Sequence, residues 1–125
     1  MIEIDYNMSL IDLQKYSDEE VHQVLECANR DKDEIFRAEC TYWMCWMEVN
    51  RRNNDKWPEH LDVRCISNIF DENHNIVFRL GNHYVLYEIE NAVLVYCDKW
   101  IPYIFSLVEE DDKCTWKYFG LWKER

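Results

Sequence analysis

Thr41-Tyr42-Trp43-Met44-Cys45-Trp46-Met47 places two tryptophans, a tyrosine, two methionines and a cysteine in seven residues, with no charge among them. The run reads as the middle of a helix. Phe36, Cys40, Trp43 and Met47 follow one helical stripe, at steps of four, three and four. Ile35, Tyr42, Trp46 and Val49 follow a second. Two apolar stripes predict a core helix covered from more than one direction. A membrane span needs about 20 apolar residues, and Arg37, Glu39 and Glu48 interrupt this stretch. Buried aromatic core is the commoner use of such a run than a ligand box.

Outward from this helix the first half stays helical. Ser9-Leu10-Ile11-Asp12 opens a helical turn, and Ser17-Asp18-Glu19-Glu20 has the form of a capping box. Tyr16 and Val21 stand where a hydrophobic staple would close, and Val21, Val24, Leu25 and Ala28 keep helical spacing over about 18–29. Asp31 with Glu34 gives a second capping signal, so the central helix is expected over about 32–52, with Arg51 and Arg52 at its negative end. Ile2–Tyr6 alternates as a short strand would. Asn53-Asn54-Asp55-Lys56-Trp57-Pro58 breaks the pattern.

Beyond the break the apolar period becomes two. Val63–Phe70 reads as a strand, Asp71–Asn75 as a turn, and Ala92–Cys97 as a central strand. Gly81-Asn82 between Ile76–Leu80 and His83–Ile89 predicts a type II′ hairpin pairing Leu80 with His83, Phe78 with Val85 and Ile76 with Tyr87. Pro102 confines Trp100–Ile101 to an edge or a bend. Tyr103–Val108 and Thr115–Trp122 would form a last hairpin across Glu109–Lys113. The expected fold is therefore α+β: N-terminal helices packed on a C-terminal antiparallel meander of about five strands. The 125 residues fit a single domain over 1–125, with a helical half 1–57 and a β-rich half 58–125.

Charge is the strongest global signal. Twenty-five acids against fourteen bases give −11, and residues 1–34 alone carry ten acids and three bases. Such a surface repels nucleic acid and anionic lipid and attracts basic proteins. Arg51-Arg52 is the one basic pair, so neither direct nucleic-acid binding nor a membrane partner is expected. Met1-Ile2-Glu3-Ile4-Asp5 is neither basic nor continuously apolar, so no signal peptide is expected. Six cysteines scattered through helices and strands suit reduced, buried thiols in a cytoplasmic protein. Cys40 and Cys45 diverge by roughly 140° on a helix, which disfavours a structural zinc site, and no metal or cofactor is expected.

No catalytic motif occurs. A reactive cysteine needs an electropositive setting, and this chain is acidic. Asp71-Glu72-Asn73-His74-Asn75 lacks the glycine and the closing glutamate of a calcium loop. His22, His60, His74 and His83 stand apart in the sequence, and runs of carboxylates are ordinarily solvated. In size, acidity and tryptophan content the chain resembles bacterial toxin-immunity proteins and phage-encoded inhibitors in a general way, with no residue-level correspondence. The expected function is an acidic stoichiometric inhibitor, without enzymatic activity, that blocks a basic toxin such as a nuclease or a nucleic-acid-binding defence protein. A small enzyme or ligand-binding domain, and an acidic adaptor subunit, are the alternatives. The candidate contact residues are Asp31, Asp33 and Glu34 at the start of the central helix, and Glu109, Glu110, Asp111, Asp112 and Trp116 around the last turn.

Overall fold

A computed structural model describes residues 4–53, 60–112 and 114–121. Three helices come first: α1 (Leu10–Gln14), α2 (Asp18–Asp31) and α3 (Phe36–Arg52). Strands follow: β1 (His60–Cys65), β2 (Ile69–Phe70), β3 (Ile76–Phe78), β4 (His83–Ile89), β5 (Ala92–Tyr96) and β6 (Pro102–Ser106). The short helix α4 (Thr115–Tyr118) and strand β7 (Phe119–Leu121) complete the order. The architecture is α+β, with a five-stranded antiparallel sheet in the order β6-β5-β4-β1-β7 and a two-stranded β2-β3 ribbon. The chain divides into two compact units, Met1–Pro58 with Lys99–Tyr103, and Glu59–Asp98 with Ile104–Arg125.

Capping chemistry starts the first two helices. Ser9 and Asp12 form a capping box on α1, and Ser17 and Glu20 form one on α2. α2 runs on to Asp31, where the Asp31 carbonyl accepts the N–H groups of Glu34 and Ile35 and turns the chain. Asp31 therefore ends α2 and does not cap α3, whose N-cap is Ile35, with no side-chain cap bond. Ile4 to Tyr6 is coil and turn where a strand was expected; Ile2 and Glu3 lie outside the described residues. So do Asn54–Pro58 of the expected break.

Helix α3 packs with α1 and α2 and buries Ala38, Cys40, Thr41, Met44, Cys45, Met47 and Glu48. Its two aromatic stripes are not both core. Ile35, Phe36 and Trp46 are exposed, while Tyr42, Trp43 and Val49 are half-buried. Small and flexible side chains fill the packed face, and the rings lie on the other. Close helix packing explains this division, because Ala, Cys and Met admit a near neighbour that Trp would hold away. Lys99–Tyr103 joins this unit. The Trp100 carbonyl accepts the Leu10 N–H at 2.8 Å, and the Pro102 carbonyl accepts Arg37 Nη1 at 2.6 Å. The Arg37 guanidinium lies over the Tyr103 ring, 4.7 Å from its centroid.

In the second unit, β4 pairs with β1, setting Arg64 against His83 and Asp62 against Val85, and β4 turns into β5 at Ile89–Ala92. The Gly81-Asn82 hairpin does not form, because β3 pairs with β2 instead. Asn82 N–H donates to the Arg79 carbonyl, and Gly81 has φ +89° at the third position of that turn. A positive φ at the third position belongs to a type II turn, which splays flanking strands instead of pairing them. The buried face of β4 is accordingly Tyr84 and Leu86, and His83 is exposed. The expected strand over Val63–Phe70 breaks after Cys65, where Ile66 N–H turns to the Tyr118 carbonyl.

Pro102 is the first residue of β6, an edge strand, as its missing N–H requires. The last hairpin is also replaced. Thr115–Tyr118 is helical, and β6 and β7 occupy opposite edges of the sheet. Trp122 and Lys113, counted in that hairpin, lie outside the described residues. An aromatic cluster forms the core here: Phe78 meets Tyr84, Phe105 and Phe119 edge to face at 4.9, 5.7 and 5.4 Å.

Candidate partner-binding surface

The loop between β6 and α4 is built on a buried stem. Thr115, fully buried, donates its hydroxyl to the Ser106 carbonyl at 2.9 Å, and Ser106 and Cys114 form a β-bridge. Ser106 Oγ accepts the Val108 N–H at 3.0 Å, which starts the turn. Asp111 N–H then donates to the Val108 carbonyl, and Cys114 N–H to the Asp111 carbonyl. From α4, Lys117 Nζ and the Tyr118 hydroxyl donate to the carbonyls of Asp111 and Asp112, at 3.0 and 3.1 Å. Backbone carbonyls take these bonds. Glu109, Glu110, Asp111 and Asp112 are all exposed on the loop so fixed.

The same loop exposes apolar groups. Leu107, Val108 and Trp116 are 43%, 59% and 44% exposed. Residues 107–116 thus combine an aromatic, two aliphatic side chains and four carboxylates on one short, internally bonded segment. Exposed apolar groups rimmed by charge are the usual composition of a protein-binding patch.

The first acidic group is arranged differently. Asp31 accepts from the Tyr6 hydroxyl at 2.6 Å and from Arg30 Nε and Nη2 at 3.0 and 3.1 Å. Bonding to Arg30, then to Tyr6, holds the Asp31 carboxyl down at about 2. Burial and the bond to that carboxylate push the Tyr6 hydroxyl up to about 12. Asp33 and Glu34 are exposed in the turn after α2. Asp31, Asp33 and Glu34 belong to the helical unit, and Glu109–Asp112 with Trp116 to the sheet unit.

One acidic residue escaped the sequence reading. Glu48 is fully buried and binds both Arg51, at 2.7 and 2.8 Å, and Arg52, at 2.8 Å. Arg52 goes on to Asp18 at 2.8 Å and to the Leu13 and Gln14 carbonyls at the end of α1. A glutamate followed by arginines three and four residues later was the available signal. The group ties α1, α2 and α3 together.

Among the described residues no group of three or more His, Cys, Asp or Glu side chains could hold a metal ion, and no helix is long and apolar enough to cross a membrane. No family model, curated protein or solved structure matches this chain.

Proposed function

We propose that the protein is an acidic stoichiometric inhibitor that binds a basic protein partner, a toxin such as a nuclease or a nucleic-acid-binding defence protein, and covers the surface that would meet phosphate. The observation that supports this reading is the loop after β6, where four exposed carboxylates, Glu109–Asp112, follow exposed Leu107 and Val108 in the chain and precede exposed Trp116. Carboxylates in such a position stand in for phosphate oxygens. They steer a cationic partner into encounter, and an aromatic anchor then slows its departure. Asp33 and Glu34 add to the attracting field, whereas Asp31 serves its internal bonds to Arg30 and Tyr6.

The test is capture of the partner from the source cell, followed by association kinetics on the purified pair. One basic protein, released by salt, is expected. Glu110→Lys with Asp111→Lys should leave folding within about 0.5 kcal/mol of the wild type, since exposed turn positions seldom matter more. The same double variant should slow association, and added salt should bring the wild-type rate down toward it. A rate insensitive to both changes would remove this loop from the interface. A bound metabolite in native mass spectrometry, with no protein captured, would favour a ligand-binding domain.

A further inference from the structure

Opposite its packed face, α3 presents a stripe that the 107–116 loop does not involve. Ile35, Glu39, Tyr42, Trp43, Trp46 and Val49 fall within about 120° of helical arc at a repeat of about 3.6 residues. Ile35 is 44% and Trp46 39% exposed; Tyr42, Trp43 and Val49 are half-buried. The rings brace one another. Tyr42 meets Trp43 edge to face at 5.2 Å, and Trp43 meets Trp46 at 5.7 Å. They are thus held ready for a partner, at little further cost in side-chain entropy.

Two observations say what that partner carries. Lys32 Nζ already lies 4.3 Å from the Tyr42 ring centroid, so this ring face accepts a cation. Glu39 lies near the middle of the stripe, one helical turn from Ile35, Tyr42 and Trp43 and two from Trp46. It is half-buried, and among the described residues its carboxylate has neither an ion pair nor a hydrogen bond. Exposed Asp33 and Glu34 continue the negative charge at the N-terminal end of the stripe. Edge-to-face rings on the same helical stripe as an unused carboxylate match a guanidinium, which is planar, weakly hydrated and able to lie on a ring face while its N–H fork pairs.

We propose that this face of α3 docks a basic amphipathic segment of a partner protein, with an arginine placed over the Trp43–Trp46 rings and paired to Glu39. A second copy of this chain fits poorly. A two-fold axis through the stripe would bring Glu39 toward its own symmetry mate and join two chains of charge −11. An anionic lipid surface is repelled by the same carboxylates.

The probe is a synthetic helical peptide with a leucine stripe flanked by arginines, and a second peptide with citrulline at each arginine, alike in shape but uncharged. Binding is followed on the full chain through the indole N–H signals of Trp43 and Trp46. The arginine peptide should shift both signals. Glu39→Gln and Trp46→Ala should each weaken binding by about tenfold, the scale of one lost charge-assisted or cation–ring contact, and the citrulline replacement, which removes every arginine charge, by more. Equal binding of the citrulline peptide, or an affinity unchanged in Glu39→Gln, would overturn the proposal. Self-association abolished by Trp46→Ala, or binding to phosphatidylcholine vesicles abolished by it, would overturn it as well. Should Trp46→Ala fail to fold, the Glu39→Gln variant and the citrulline peptide decide the question without it.

Discussion

Glu48 is a charge in the interior of the helical unit, and it stays charged because two arginines reach it. The bonds from Arg51, then those from Arg52, hold its carboxyl below the ordinary carboxylate range against the opposing effect of burial. A depressed carboxylate stabilises the fold fully above its unfolded pKa and loses that contribution as pH falls through the folded value. Replacement removes the anion but leaves the cations. Arg51 keeps 41% of its side chain exposed and can turn to water, whereas Arg52 keeps only 18%. Glu48→Gln should therefore cost about 3 kcal/mol, the low end of the range for breaking a buried pair. Urea unfolding at neutral pH measures it, and a cost under about 0.5 kcal/mol, the size of an ordinary surface change, would show the network to be incidental. Residue identity alone could not place Glu48. It interrupts an apolar run, which reads as exposure, and its burial depends on Arg52 meeting Asp18 across 34 residues of sequence.

Element by element, what could be read in the sequence was what local chemistry determines. The Ser9 and Ser17 caps and the edge position of Pro102 rest on one or two neighbouring side chains, and the course of α2 and the β5 strand on a short local pattern of apolar residues. What could not be read was pairing. Gly81 signals a positive φ, but two turn types use one, and only the second keeps β3 away from β4. Likewise α3 has apolar residues on nearly every side, so period alone could not say which face packs. Asp31 shows how an element end misleads: it suits an N-cap by type, yet it closes α2, where the helix dipole disfavours it. Arg30 and Tyr6 offset that cost, and pH should reveal the arrangement. The Asp31 carboxyl is lowered from 3.8 to about 2, so its contribution is complete above about pH 4 and is lost as pH falls toward 2. The Tyr6 hydroxyl is raised from 10.0 to about 12, so its contribution is complete below pH 10 and is lost as pH rises toward 12. Asp31→Asn should flatten the acid limb of the unfolding free energy, and Tyr6→Phe the alkaline limb. Limbs that match the wild type in both variants would show that the Tyr6–Asp31 bond does not persist in solution.

At the scale of the whole molecule the candidate contact residues were legible as acidic segments, but their surroundings were not. The Glu109–Asp112 run is evident from composition; that Ser106 and Thr115 pin the loop beneath it follows only from β6 and α4 meeting at that stem. The six thiols test the folded organisation directly, because they sample both units. Cys40 and Cys45 report on the helical unit, and Cys65, Cys97 and Cys114 on the sheet unit; all five are buried, while Cys27 is half-exposed. All six are free. Burial, with a further push from Glu48, raises the Cys45 thiol to about 12, and burial raises Cys65 as well. Only the thiolate is alkylated readily, so both lack of access and the scarcity of thiolate protect these sites. Iodoacetamide added to the native protein should therefore modify Cys27 first, and the buried thiols only as their unit opens. Within a unit the buried thiols should react at a common rate, since each waits on the same opening. Peptide mapping over time resolves the six sites. Protein purified without reductant and alkylated after denaturation should show all six modified. Two sites protected in that second measurement would mean a disulfide the fold does not contain. Fast modification of Cys45 in the first would mean that α3 is not packed as described.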